Sequence, residues 1–278
     1  MNMKRRISGV WTVIFAIISV IWMFPILMVI MNSFKKKTAI SISPFAPPTK
    51  ETFAGLSNYA EALEKTDFLW SFVWSLFITV GSVLLMLVFT VMCAWWIVRA
   101  NNVYAKFIYL LFLISMVVPF QMVMFPLSKM SDMAGLNTPW GLWLLYLGFS
   151  PGLPVFIFTG VVKSLPSAVE EAAMIDGASV PRIFFNVVLP LMRSSIVSVA
   201  ILQTMWVWND FLLPYVTLDL QQFKTIPIAV QVFKGSYGTT DWGAMMGCLV
   251  LTIIPILVFY MLCQKQIISG ITAGAVKG

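Results

Sequence analysis

Few side chains in this sequence are equipped for chemistry, and they fall in two places. The first is the stretch from Pro166 to Pro190, where Glu170, Glu171 and Asp176 sit among small residues and Gly177. The second is Gln203, Trp206, Asn209 and Asp210. Spacings of three and four put that set on one face of a helix. Amides, a carboxylate and an indole suit a hydroxyl-rich ligand, with a ring face for stacking and oxygens for hydrogen bonds. The same residues also suit a plainer role. Trp206 and Trp208 fit an interfacial aromatic belt, and Asn209-Asp210 can fix a bend before Pro214. Gln121, between Pro119 and Pro126, is a lesser candidate for a ligand path.

The usual parts for catalysis are missing. There is no histidine, which removes the commonest general base and metal ligand. Cys93, Cys248 and Cys263 lie in apolar stretches at no motif spacing and read as small core hydrophobes. The sequence contains no G-x-x-x-x-G-K-[ST] phosphate loop, no H-E-x-x-H and no G-x-S-x-G. We therefore assign no catalytic residue, no cofactor-binding residue and no metal ligand, and expect a chain that is not an enzyme.

The stretch 166–190 has a local logic of its own. Ser167 and Glu170 have capping-box spacing. Glu170 and Glu171 fall in the first turn, where the helix dipole favours anions. Ala172, Ala173 and Met174 are good helix formers, and Gly177 is a natural stop. Ser179 and Pro181 mark a new start, and Pro190 predicts a kink. On these grounds alone, a docking helix and a plain solvated connector fit equally well.

The elements that hold these residues must be membrane helices. Of the 278 residues, 60% are hydrophobic and only 10% are charged, against about 25% charged in a soluble domain. Mean hydropathy is +0.91. A soluble fold of this length could not hide so much apolar surface. Uncharged or nearly uncharged runs of membrane length predict six spans, at 11–31, 70–98, 107–127, 140–162, 187–213 and 243–263. Residues 1–10 form a short cationic head and 264–278 a tail. Trp11 to Met31 is too long for the apolar core of a signal peptide. The connection 32–69 is the longest, and Leu56, Tyr59, Ala60 and Leu63 predict a short amphipathic helix within it. Residues 70–263 form the core domain, with a loop at 166–186.

The formal charge of +7 orients the helices and does not point to nucleic acid. With both ends inside, all the arginines fall on that side. Lys35-Lys36-Lys37 opposes this arrangement, so charge leaves the orientation only weakly set.

One resemblance adds to this reading. Glu171-Ala172-Ala173, three residues, Gly177, nine residues, then Val187-x-Leu189-Pro190 is similar to the "EAA" loop of ABC importer permeases. Flanking residues resemble the carbohydrate-uptake branch, in particular the smaller permease of maltose-type and multiple-sugar systems. These are Glu170, Ile175-Asp176-Gly177-Ala178, Trp208-Asn209-Asp210-Phe211 with Pro214, Gly135-Leu136-Asn137-Thr138, and the ending Gly270 to Gly278. Ser194 stands where that branch leads one to expect proline. The resemblance implies an all-α integral membrane protein of about six transmembrane helices, with the type I importer (MetI-like) fold and a cytoplasmic coupling helix. It implies a sugar or oligosaccharide as substrate, with a polyol phosphate such as glycerol phosphate as the alternative. An ion-coupled secondary transporter is a distant third, for want of intramembrane carboxylate pairs or inverted repeats.

The implied partners are a second permease in a heterodimer, two copies of a cytoplasmic ATPase that carry ATP and Mg, an extracytoplasmic solute-binding protein, and the lipid bilayer. The implied location is the bacterial cytoplasmic membrane, with both termini inside. By the same resemblance, Glu170, Glu171, Ala172, Ala173, Asp176, Gly177, Leu189 and Pro190 form the ATPase-coupling loop. Within it, Glu171 contacts the ATPase or caps the helix, and Gly177 aims it.

Overall fold

The computed structural model describes residues 2–234 and 240–275, with side chains over 11–234 and 240–266. Of the expected tail 264–278, and of the ending Gly270 to Gly278 within it, positions 276–278 lie outside the described residues. In chain order the main helices are α1 (Asn2–Ser33), α2 (Ser57–Lys65), α3 (Phe68–Ala100), α4 (Val103–Val117), α5 (Phe120–Met133), α6 (Pro139–Phe149), α7 (Gly152–Lys163), α8 (Ser167–Ile175), α9 (Arg193–Asn209), α10 (Leu212–Thr217) and α11 (Trp242–Ala275). Among the described residues, three segments are long and apolar enough to cross a membrane unaided: Trp11–Ser33, Phe68–Ala100 and Trp242–Gln266.

The third, fourth and fifth spans differ from the continuous helices that hydropathy predicts. Each is a bent pair. α4 and α5 meet at 106°, α6 and α7 at 55°, and Val180–Leu191 meets Arg193–Asn209 at 75°. Counting each pair as one span gives six among the described residues. Proline explains the first break. Pro119 has no N–H and pushes Val118 into extended backbone at φ −73°, ψ 115°. Pro151 stands at the second break, as the cap of α7. The third falls at Met192, two residues beyond the expected kink at Pro190. Ahead of Pro190, residues Phe184–Val188 widen into a π-turn, and the Leu189 N–H reaches back to the Phe184 carbonyl. A ladder about to lose a donor at proline loosens in this way.

The chain divides into two units. The first comprises 1–69 and 229–257. Here the connection after α1 is a built structure. Lys35 is only 1% exposed, and its ammonium donates to the Ser43 and Ala46 carbonyls at 2.6 and 2.9 Å. Burial lowers its pKa. Part of the lysine run that opposed the charge rule is thus internal, tying the loop together.

The buried face of α2 also differs from expectation. Leu56 and Leu63 are exposed, whereas Asn58, Ala62 and Thr66 are buried. Asn58 decides the face because its amide donates to the Ser33 and Lys35 carbonyls at 2.7 and 2.9 Å. Those backbone acceptors need a partner away from water, and that need outweighs the leucines.

The second unit comprises 70–228 and 258–278, and α3 is its spine. Ile78, Val83 and Met86 pack with Leu142, Tyr146 and Val207. One turn on, Val91 and Ala94 pack with Phe158, Val162, Phe184 and Val188. Lipid tails are as apolar as these side chains, so close packing and hydrogen bonds, and not exclusion from water, must favour this arrangement. Gly81 shows how close the packing is. A Cβ there would lie 2.0 Å from the Trp143 ring, whose Nε1–H donates to the Phe77 carbonyl at 3.2 Å.

Gly81→Ala should therefore displace that indole and destabilise the protein by about 1–3 kcal/mol, the usual penalty of overpacking. Thermal melting of the purified chain in detergent measures it, and an unchanged midpoint would contradict the contact.

Candidate functional site

The loop expected at 166–186 is built of short helical pieces. α8 begins after Pro166, with Ser167 already inside the helix, and no side chain caps its N-terminus. The capping box expected of Ser167 and Glu170 does not form. Glu170 is used elsewhere.

The C-terminal end of α8 behaves as the sequence predicts. Gly177 has φ +77°. The Gly177 N–H donates to the Met174 carbonyl at 3.0 Å and the Ala178 N–H to the Ala173 carbonyl at 2.9 Å, the paired bonds of a Schellman turn. The next helix, Val180–Ile183, starts after Ser179 with Pro181 in its first turn.

The two adjacent carboxylates of α8 have opposite fates. Glu171 is exposed, as are Met174 at 54% and Ile175 at 86%. Glu170 points the other way, and its side chain is only 5% exposed. Arg99, at the end of α3, donates from Nε and Nη2 to Glu170 Oε1 at 3.0 and 2.6 Å. Trp95, one turn earlier, donates from Nε1 to Glu170 Oε2 at 3.0 Å. Arg99 Nη2 also reaches the Leu165 carbonyl at 3.3 Å. Charge-assisted bonds of this kind are short and strong. Ala173 and Ala178 pack beside this cluster against the Phe184–Val188 core, Leu189 packs there too, and Pro190 is exposed. Ala172 and Asp176 are exposed as well.

Sequence reading missed Arg99 and Trp95. The available signal was one arginine closing an apolar span and one acid too many for a helix cap.

The second set of residues surrounds a cavity of about 180 Å³ lined by Phe120, Gln121, Phe149, Trp206, Asp210, Leu212 and Leu213. Three of the five expected residues, Gln121, Trp206 and Asp210, therefore come together. Gln203 does not join them: it is buried and accepts from the Ser150 hydroxyl at 3.2 Å. Nor does Asn209, whose amide folds back on the Met205 carbonyl at 2.7 Å.

Asp210 is held from two sides. Tyr146 donates its hydroxyl to Oδ2 at 3.0 Å, and the Leu212 N–H donates to Oδ1 at 3.0 Å. It thus fixes the bend between α9 and α10 while also walling the cavity. The Trp206 ring stands edge-on to Tyr146 at 5.8 Å, and Phe120 stands edge-on to Phe149 at 5.1 Å. Sequence reading missed Tyr146. A lone phenol in an apolar helix needs an acceptor, and that was its signal.

Residues 86–273 match the family model described as binding-protein-dependent transport system inner membrane component. The chain is 35% identical over 261 residues to the probable starch degradation products transport system permease protein AmyC of Thermoanaerobacterium thermosulfurigenes, covering 94% of each. It is 32% identical to the multiple sugar-binding transport system permease protein MsmG of Streptococcus mutans, covering 100% of each. Among solved structures, a bacterial ABC transporter involved in the import of the acidic polysaccharide alginate matches with a TM-score of 0.77 at 20% identity. That match covers 95% of this chain and 98% of the other, and it establishes the fold.

Gly177 offers a clean test of the turn, because a Cβ there meets nothing within 4 Å. Gly177→Ala should destabilise the turn only through its left-handed backbone, by about 1–2 kcal/mol. Hydrogen exchange of the Gly177 and Ala178 amides should then quicken by about 5–30-fold. Exchange at the native rate would mean that the turn is not held as described.

Proposed function

The chain belongs to the family of binding-protein-dependent transport system inner membrane components, and on that footing we propose that it is the permease subunit of an ATP-driven importer for a sugar or oligosaccharide. It forms the translocation path together with a second, different permease. The relatives reported above carry carbohydrates by name, and they lend no support to a polyol phosphate.

The observation that carries this reading is the build of α8. It is short, closed by a glycine turn and anchored on its inner side, and it leaves Glu171, Met174 and Ile175 free on its outer side. A helix held in this way can take a push from a docked partner and pass it on, whereas a floppy loop would absorb it. In this reading the loop is cytoplasmic and docks on an ATPase subunit, present in two copies, which binds ATP and Mg. Both termini are then cytoplasmic, and the protein lies in the bacterial cytoplasmic membrane. An extracytoplasmic binding protein delivers the sugar from the other side.

The cavity supplies the sugar contacts on this subunit. Its indole, its phenyl rings, the Gln121 amide and the Asp210 carboxylate suit a polyhydroxylated ring. At about 180 Å³ it is smaller than a typical small-molecule pocket of roughly 300–1,000 Å³. It therefore serves as part of a path that the second permease completes.

Two experiments test this. In the first, the chain is co-expressed with a candidate second permease and candidate ATPases and purified from detergent. The native chain should retain an ATPase, and Glu171→Lys or Gly177→Trp should release it while the permease pair survives. If no candidate is retained by the native chain, the importer reading fails and ion-coupled uptake becomes the alternative to test. In the second, Trp206→Ala should lower uptake of the cognate sugar by about tenfold, equivalent to the loss of about 1.4 kcal/mol of binding, with ATPase retention unchanged. Native uptake in that variant would remove the cavity from the path.

A further inference from the structure

Glu170 lies next to the residue that the docking reading sends towards the ATPase, yet it faces away from any docking surface. Its carboxylate is enclosed by Arg99 and Trp95, both on α3. The indole of Trp95 also rests on Phe184, with ring centres 5.4 Å apart. Phe184 lies in the segment that continues from the loop into α9. One carboxylate therefore pins α8 to α3 at the point where the loop's own chain turns back towards the cavity.

The other end of α3 reaches the neighbourhood of that cavity. Phe72 stands edge-on to Trp208 at 5.8 Å, and Trp208 lies two residues from both Trp206 and Asp210. Ser75 accepts the Ile226 N–H at 2.8 Å. Gly81 lies under Trp143, on the helix that carries Tyr146. From Arg99 to Phe72 is roughly 40 Å of uninterrupted helix at about 1.5 Å per residue. No proline interrupts α3.

We infer that Glu170 is a positioning residue that latches the loop helix to α3, and that α3 is the rod through which movement of the loop reaches the cavity. This rests on the docking reading above and assigns the two glutamates separate tasks. Glu171 belongs to the outer, partner-facing side, and Glu170 to the inner, transmitting side. A packed helix gripped at both ends moves as a body, because close-packed interiors pass displacement on instead of deforming. Cutting the grip at Arg99 should leave the partner bound and the cavity unmoved.

The test needs no knowledge of the sugar. Cys93, Cys248 and Cys263 are replaced, Gln121→Cys is introduced in the cavity wall, and the complex with its second permease and ATPase is purified. Labelling of that cysteine by a membrane-impermeant maleimide is timed with and without ATP plus vanadate. With Glu170 native, trapping should change the rate by about tenfold, within the ~5–150-fold span of typical coupling between sites. Glu170→Gln should retain the ATPase and abolish that change. The reversed pair Arg99→Glu with Glu170→Arg should restore part of it, which a loss of general stability would not allow.

A full rate change in Glu170→Gln overturns the inference. So does release of the ATPase by Glu170→Gln, which would make Glu170 a docking residue. Should neither variant assemble with the second permease, the pair is structural and the transmitting role falls. A native complex that never holds the ATPase condemns the docking reading first and takes this inference with it. A native complex that holds the ATPase but shows no rate change condemns this inference alone.

Discussion

A polar group taken away from water is costly until it finds a partner inside the protein, and four side chains of this chain show how that constraint sets its geometry. Glu170 finds Arg99 and Trp95. Asp210 finds Tyr146 and the Leu212 N–H. Lys35 finds two carbonyls, and Asn58 finds two more. Each of these arrangements stands where two chain segments must be held in one register. Apolar packing could join the same segments, but lipid competes for apolar contacts on equal terms. A buried carboxylate has far fewer acceptable positions. The polar pairs therefore carry the geometry, and the apolar residues carry the volume.

This division explains which features the sequence makes legible. The loop reads well because its signals are local. Alanines within the helix, Gly177 at the stop and Pro181 at the restart all act within a few residues. The number of spans is also legible, since six apolar runs remain six if each bent pair counts as one. The bends are less so. Pro119 was visible, but hydropathy averages across it and returns one continuous span. The shift of the last bend from Pro190 to Met192 depends on how a π-turn absorbs the missing donor, and no spacing rule contains that.

Long-range partners are the part the sequence hides. Glu170 has capping-box spacing to Ser167, and a local rule assigned it locally. Its actual partners lie 71 and 75 residues away. The same failure occurs in α2, where a face chosen by leucines loses to one chosen by Asn58. In both cases a residue was given the nearest role that its type permits, and the fold used it for a distant one. Burial inside a membrane protein worsens this, because lipid-facing and core-facing residues are equally apolar. Only the polar exceptions betray which face is inward, and their partners must be sought across the whole chain.

The ion pair also shows why adjacency in sequence is a poor guide to shared function. Successive helix positions are turned about 100° apart at 3.6 residues per turn. Two neighbouring glutamates can therefore face different worlds: Glu170 is buried against α3, and Glu171 is exposed. A buried ion pair adds little net stability over a well-packed apolar substitute, and its best-attested benefit is to fix one arrangement against others. A transporter has particular need of that benefit. It must change shape repeatedly, and its parts must keep their registration throughout. An apolar contact can slide by part of a turn and remain nearly as favourable, whereas a guanidinium and an indole around one carboxylate cannot. On the docking reading proposed above, the loop needs the latch less to stay folded than to keep its displacement tied to a single helix.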